Sequence, residues 1–328
     1  MGNKIQLSKR REFDITITDN TYAGELSLPY VTAALRSPDT IAKGYVRTID
    51  GLNAKAVINN LACSNPIVAA ACSFSSGDDT SLTEQVLTLT DLKVNEEICR
   101  GTIFPTWIGQ GMDRNGNLPQ EFGDFLLQVV AGKAAAQLEI GIWQGAAPFG
   151  VGFLSNDGAQ DEAGADASAL KDFSEVDFAD ALAATDILTD MASVYDAVAS
   201  NVSGILTKPG AGFYMNNATY GFYIQALASA GSNQGQVSGA GFNLDGENMT
   251  YFGFPVYRCP GIFNDVIVFT YPENLVVGSN SNSGFQEVRL IPKYEYDGSD
   301  NIAIVMQFAM GVQTAVASDG VYGSTVWT

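Results

Sequence analysis

The sequence predicts an α+β fold, and three features carry that expectation. Asn117 to Gly145 (NLPQEFGDFLLQVVAGKAAAQLEIGIWQG) reads as one long uninterrupted helix. The stretch from Val288 to Gln313 reads as a long antiparallel hairpin. The remaining segments are punctuated by glycine and rich in strand-forming residues. At 328 residues the chain is long enough to bury a large core as one unit or two closely joined ones. A hydrophobic content of 46% against 16% charged residues excludes wholesale disorder and suits a chain that hides surface, including against copies of itself.

Residues 1–44 are polar, then mildly apolar (TYAGELSLPYVTAAL), without the pattern of a self-contained unit, and read as an arm that needs a partner surface. Lys4, Lys9, Arg10 and Arg11 form the one basic cluster, read first as a solvated tail and second as a contact for nucleic acid or a scaffold. From Tyr45 to Phe74 and from Leu82 to Phe104, β-rich limbs flank the turn-forming SSGDDT at Ser75 to Thr80, so a long hairpin-like excursion is expected. Its second limb mixes apolar and polar residues on both faces and also wants a neighbour.

The long helix has both ends specified. Asn117 is a suitable N-cap with Pro119 in the first turn, and Gly145 followed by Pro148 supplies a stop. Projected at 100° per residue, Leu118, Phe122, Phe125, Val129, Ile140 and Trp143 make one apolar stripe. Leu127, Val130, Ala134 and Leu138 make a second on roughly the opposite side, with Glu121, Asp124, Gln128 and Glu139 on a polar flank between them. A helix apolar on two faces is expected to be sandwiched. After it comes an acidic loop, whose Asp157, Asp161, Glu162 and Asp166 depart from the calcium-loop spacing. A second helix from Thr185, a strand GFYMN, a shorter helix ATYGFYIQALAS and a Gly/Ser/Asn-rich loop make a second lobe. In the last hairpin, Ile302, Ile304, Met306, Phe308, Met310 and Val312 alternate with small or polar residues, giving an apolar face that suits one stripe of the long helix.

Composition excludes most enzyme classes. There is no histidine, so the commonest general base and metal ligand are missing. Cys63, Cys72, Cys99 and Cys259 form no CxxC pair, and no dinucleotide fingerprint, P-loop or nucleophile elbow is present. No catalytic, cofactor-binding or metal-binding residue is predicted. The 36 acidic and 17 basic residues leave a net charge near −19, which repels phosphate and argues against sequence-specific nucleic-acid readout. No apolar run is long and uncharged enough to span a membrane, and no signal peptide opens the chain.

The order of parts resembles the major capsid proteins of tailed double-stranded DNA bacteriophages, the Hong Kong 97 phage-type capsid fold. The resemblance is sharpest at Gly253 to Val256, at Asn274 to Gly278 and at Gly311 to Gln313. It implies an N-terminal arm at 1–44, an extended E-loop hairpin at 45–103 and a P domain from 104–168 and 268–315 with the spine helix at 117–145. An A domain from 169–267 and 316–328 completes the division. It further implies a structural, non-enzymatic protein without cofactors that assembles with itself into hexamers and pentamers and closes an icosahedral shell around a genome. Implied partners are a portal protein, a separate scaffolding protein or none, decoration or head-to-tail proteins, and packaged double-stranded DNA held without sequence specificity. The implied location is the virion capsid, with assembly in the host cytoplasm. Contacts between subunits are expected at Tyr22, Leu28 and Tyr30 in the arm, Ser76, Asp78, Leu87 and Leu89 in the hairpin, Phe122, Phe125 and Trp143 on the helix, and Phe242 in the glycine-rich loop. An encapsulin-like nanocompartment shell shares this architecture, and an extracellular surface-layer or adhesive protein is the alternative from another class.

Overall fold

A computed structural model of the chain describes residues 20–23, 38–63, 67, 80–99, 120–145, 148–154, 170, 173–233, 249–280, 287–293, 298–299 and 301–325. The first half holds β1 (Asn20–Ala23), α1 (Asp39–Ala42), β2 (Arg47–Ile49), β3 (Lys55–Cys63), β4 (Thr80–Thr88), β5 (Thr90–Cys99) and the long helix α2 (Gln120–Gln144). There follow β6 (Ser174–Phe178), α3 (Ile187–Asn201), β7 (Gly212–Met215), α4 (Asn217–Asn233), β8 (Thr250–Tyr251) and β9 (Phe254–Arg258). The last part supplies β10 (Val266–Thr270), β11 (Leu275–Ser279), β12 (Glu287–Pro292), β13 (Asn301–Thr314) and β14 (Val321–Thr325).

The first sheet runs β1-β12-β13-β11-β2, with β5 also on β13. Its organiser is β13, whose Asn301–Met310 stretch pairs antiparallel with β5 while Met310–Thr314 pairs with β11. The alternation in β13 does what the sequence predicts: all six large residues from Ile302 to Val312 are buried. Val288 and Val94 lie beside Met306, Leu92 beside Phe308 and Ile98 beside Ile302, so one face is apolar across three strands. That face joins Leu126, Leu127, Val130, Ala131, Ala134 and Leu138 of α2 in one core. The hairpin-on-helix packing expected from the sequence is therefore present.

The second sheet runs β6-β14-β10-β7-β9-β8. Strands β7 (GFYM) and β10 (VIVFT) are buried at every position, because both faces of this sheet are covered. Tyr214, Val266 and Val268 point into the core shared with α2. Phe213, Met215, Ile267 and Phe269 face Ile187, Met191, Val194 and Val198 of α3 and Tyr220 and Tyr223 of α4.

The chain crosses from the second sheet to the first between Thr270 and Leu275 and returns between Thr314 and Val321. The two crossings are stitched together by Asn274, which is fully buried. Its Nδ2 donates to the Asp319 carbonyl at 2.8 Å and to Thr270 Oγ1 at 3.2 Å, and its Oδ1 accepts the Val316 N–H at 2.7 Å. Its own carbonyl accepts from Ala315 N at 2.8 Å, so all its polar groups on that side are used.

Candidate assembly surface

Strands β3 and β4 form a two-stranded sheet of their own, in register from Lys55↔Thr88 to Cys63↔Thr80. A two-stranded ribbon has no interior, so each residue faces either the body or open space. Val57 pairs with Val86 and Leu61 with Leu82 on one face, with Asn59↔Glu84 between them. These four aliphatic side chains are between 45% and 68% exposed, far above what a settled apolar position shows.

A second uncovered apolar strip lies on α2. From Leu126 to Leu138 the buried positions follow helical spacing, and the opposite side exposes Val129, Gly132, Lys133, Ala136 and Ile140. A methyl added at Gly132 would meet nothing within 4 Å. The two faces read from the sequence thus behave differently: one seals the subunit's core, and the other is open over its middle turns.

The C-terminal end of α2 is wrapped by its own chain, which corrects two expectations. Gly145 adopts φ +65° and donates its N–H to Gly141, as a helix-ending glycine does. The backbone then turns back so that Phe153 N and Leu154 N donate to the carbonyls of Ile142 and Trp143. Trp143 is consequently fully buried, against Phe153 and Tyr214, and is not a contact for a neighbour. Glu139, read from the sequence as part of a polar flank, is buried too. Both its oxygens are taken by Thr40, one by the backbone N–H at 3.0 Å and one by the hydroxyl, while the Trp143 indole N–H donates to that same hydroxyl at 2.9 Å. Burial pushes the Glu139 carboxyl up, against the hydrogen bonds from Thr40 and Gly261 that draw it down, with Asp39 adding to the rise. Thr40 sits in α1, at the root of the arm, so this cluster ties the arm's exit to the long helix.

Leu87 is likewise fully buried within the subunit and leaves the set of expected contacts, while Leu89 is half-buried beside it. The excursion's second limb also divides at Leu89: β4 stays with the hairpin and β5 enters the first sheet. Tyr22 lies in β1, whose backbone pairs with β12 of the same chain opposite Val288. Phe122 and Phe125 fall on α2, but their side chains are outside the described residues, as are Lys4, Lys9, Arg10, Arg11, Leu28, Tyr30, Ser76, Asp78, Phe242, Asn117 and the acidic loop. The exposed quartet Val57, Leu61, Leu82 and Val86 was missed as a set, although the alternation VINNL and LTEQV carried the signal. Among the described residues no cluster of potential metal ligands forms, and no helix is long and apolar enough to cross a membrane.

No protein-family profile and no curated protein matches the sequence. Solved structures do match in fold over nearly the whole chain. The capsid of a native GTA particle superposes with a TM-score of 0.53 at 15% identity, covering 90% of this chain and 90% of that one. A chain of Gordonia phage Cozz gives 0.54 at 14% identity, covering 89% and 87%. The procapsid of satellite phage P4, which includes the size determination (Sid) protein, gives 0.54 at 14% identity, covering 90% and 98%. This chain has the Hong Kong 97 phage-type capsid fold, that of phage major capsid proteins.

Proposed function

We propose that this protein is the major capsid protein of a tailed double-stranded DNA bacteriophage, a non-enzymatic subunit that assembles into hexamers and pentamers of an icosahedral shell. The observation that carries the reading is the hairpin face Val57–Leu61–Leu82–Val86, which is left exposed among the described residues and which a second copy would cover. Fully burying an aliphatic side chain contributes about 1.5–3 kcal/mol, and these four still have about half their surface to bury, so together they give roughly 3–6 kcal/mol gross. Association costs an amount of similar size, so one such contact is weak and a closed shell gains from repeating it. The open strip of α2 is the complementary surface on the neighbour. In this reading the body's two sheets are the P and A domains, and the crossings at 271–274 and 315–320 divide them. The arm's Tyr22, Leu28 and Tyr30 and the hairpin tip at Ser76 and Asp78 extend the contact, and Lys4, Lys9, Arg10 and Arg11 reach packaged DNA or a scaffold. Portal, scaffolding and decoration proteins are the remaining partners, the host cytoplasm is the place of assembly, and the virion capsid is the destination.

Size measurement of the expressed full-length protein tests this directly. Closed megadalton particles are expected from the natural sequence, and Leu61→Asp or Leu82→Asp is expected to leave the subunit folded while lowering particle yield at least about tenfold. A natural subunit that remains monomeric at high concentration, or Leu61→Asp protein that assembles unimpaired, would overturn the proposal.

A further inference from the structure

The hairpin touches the body at its root, and the root rests on two glycines that face each other across strands. Gly278 of β11 and Gly311 of β13 are direct register partners. Neither has a positive φ, so neither is needed for backbone freedom, and room is what they supply. A Cβ on Gly278 collides with Leu87 Cδ2 and stands 3.0 Å from Leu52 Cδ1 and 3.3 Å from Leu89 Cδ2. A Cβ on Gly311 collides with the Thr88 carbonyl oxygen and stands 3.3 Å from Leu89 Cα. The bare patch lies on the face of the first sheet opposite α2, since the alternating neighbours Val277 and Val312 belong to the core.

Hydrogen bonds hold both limbs of the hairpin around this patch. Leu52 N donates to the Ser279 carbonyl at 3.1 Å, and Ser279 Oγ donates to Asp50 at 2.7 Å. Leu89 N donates to the Ala54 carbonyl at 2.9 Å, closing the root, and Gln313 Nε2 reaches the Val86 carbonyl at 3.3 Å. Leu87 is the plug: it is fully buried yet lies outside the main core, and its Cδ2 sits over Gly278, where the ends of Leu52 and Leu89 also converge.

We infer that the Gly278–Gly311 pair is a socket that seats Leu87 and fixes the angle at which the β3–β4 hairpin leaves the subunit, making these positioning residues for shell assembly. The inference rests on the proposed capsid function for its consequence, and on geometry alone for its mechanism. Nine residues per strand make the hairpin about 30 Å long, so a tilt of about 10° at the root moves the tip by about 5 Å. A displacement of that size moves the Val57–Leu61–Leu82–Val86 face off any surface it fits.

Backbone hydrogen exchange of the unassembled full-length subunit, together with the size distribution of assembled particles, tests the socket. In Gly278→Ala the obstruction is the end of one side chain, so faster exchange is expected in β3 and β4 with β11 and β13 unchanged, and particles are expected to be fewer by about tenfold or irregular in diameter. Adding Leu87→Ala is expected to bring both readouts back toward those of the natural protein, because the methyl added at position 278 then occupies the space that the leucine end vacates. In Gly311→Ala the obstruction is backbone, and Leu87→Ala is expected not to restore it. Leu87→Ala alone, which removes the plug without a clash, is expected to loosen the hairpin in the same way. Unchanged hairpin exchange in both Gly278→Ala and Leu87→Ala, or a loss in Gly278→Ala that Leu87→Ala does not relieve, overturns the socket. Normal assembly of Leu61→Asp tells instead against the hairpin contact itself, and the exchange measurement still decides the socket.

Discussion

Glu139 shows how one residue joins distant parts of the chain. A carboxyl in an apolar helix end costs free energy unless its oxygens are satisfied, and Thr40 satisfies them from about a hundred residues away. Removing the hydroxyl in Thr40→Val is expected to cost about 1.5–3 kcal/mol in urea unfolding, the range for a hydrogen bond to a charged acceptor. Because burial raises the Glu139 carboxyl above its ordinary 4.5, the fold holds that proton more tightly than the unfolded chain does. The added stability is therefore fully present below about 4.5 and is lost as pH rises through the raised value. Unfolding midpoints measured from pH 4 to 8 should show this trend in the natural protein and a flatter one in Glu139→Gln. None of this was legible in the sequence. The run AQLEIGIW reads as a helix with one polar flank, and that flank faces inward because Thr40 and Gly261, about a hundred residues away on either side, pack against it. The stop at Gly145 was legible, because a helix-ending left-handed conformation selects glycine by local sterics alone.

At the scale of elements, Gly132 and Gly141 of the long helix have opposite roles. A Cβ on Gly141 would stand 2.5 Å from the Phe149 ring, so this position is closed by the returning chain. Gly132 lies on the open strip with nothing near it, and alanine there is expected to raise the subunit's stability by about 0.5–1 kcal/mol, read as a higher melting temperature. The same methyl fills the strip where a neighbour would approach, so slower assembly by light scattering is expected beside the gain in stability. The period of α2 and the alternation of β13 were both readable, because each has one face buried by its own chain and burial imposes the pattern. The break at Leu89 was not readable. SLTEQVLTLTDLKV mixes apolar and polar residues with no turn signal at Leu89, and the chain changes sheets where Thr88 lies over Gly311, a contact between residues more than two hundred positions apart.

For the whole molecule, two sheets share one core, and the two crossings between them meet at Asn274. Asn274→Ala leaves the Val316 N–H and the Asp319 carbonyl without that partner, and a cost of about 2–4 kcal/mol is expected. Calorimetry should then resolve an earlier transition for one sheet, where the natural protein unfolds both together. The boundary read from the sequence falls at 267/268, inside β10, whereas the chain leaves the second sheet only after Thr270, at the Pro272–Asn274 turn that interrupts the apolar run VIVFTYPENLVVGS. The pairing of β5 with β13 sets the tempo of synthesis as well as the architecture. The strands lie about 200 residues apart, so a ribosome adding about 5–20 residues per second leaves β5 waiting for roughly 10–40 s. Throughout that interval the first sheet cannot close over α2 and the greasy hairpin is already out, which makes the nascent chain a natural client for a chaperone and cool expression the better route to intact subunits.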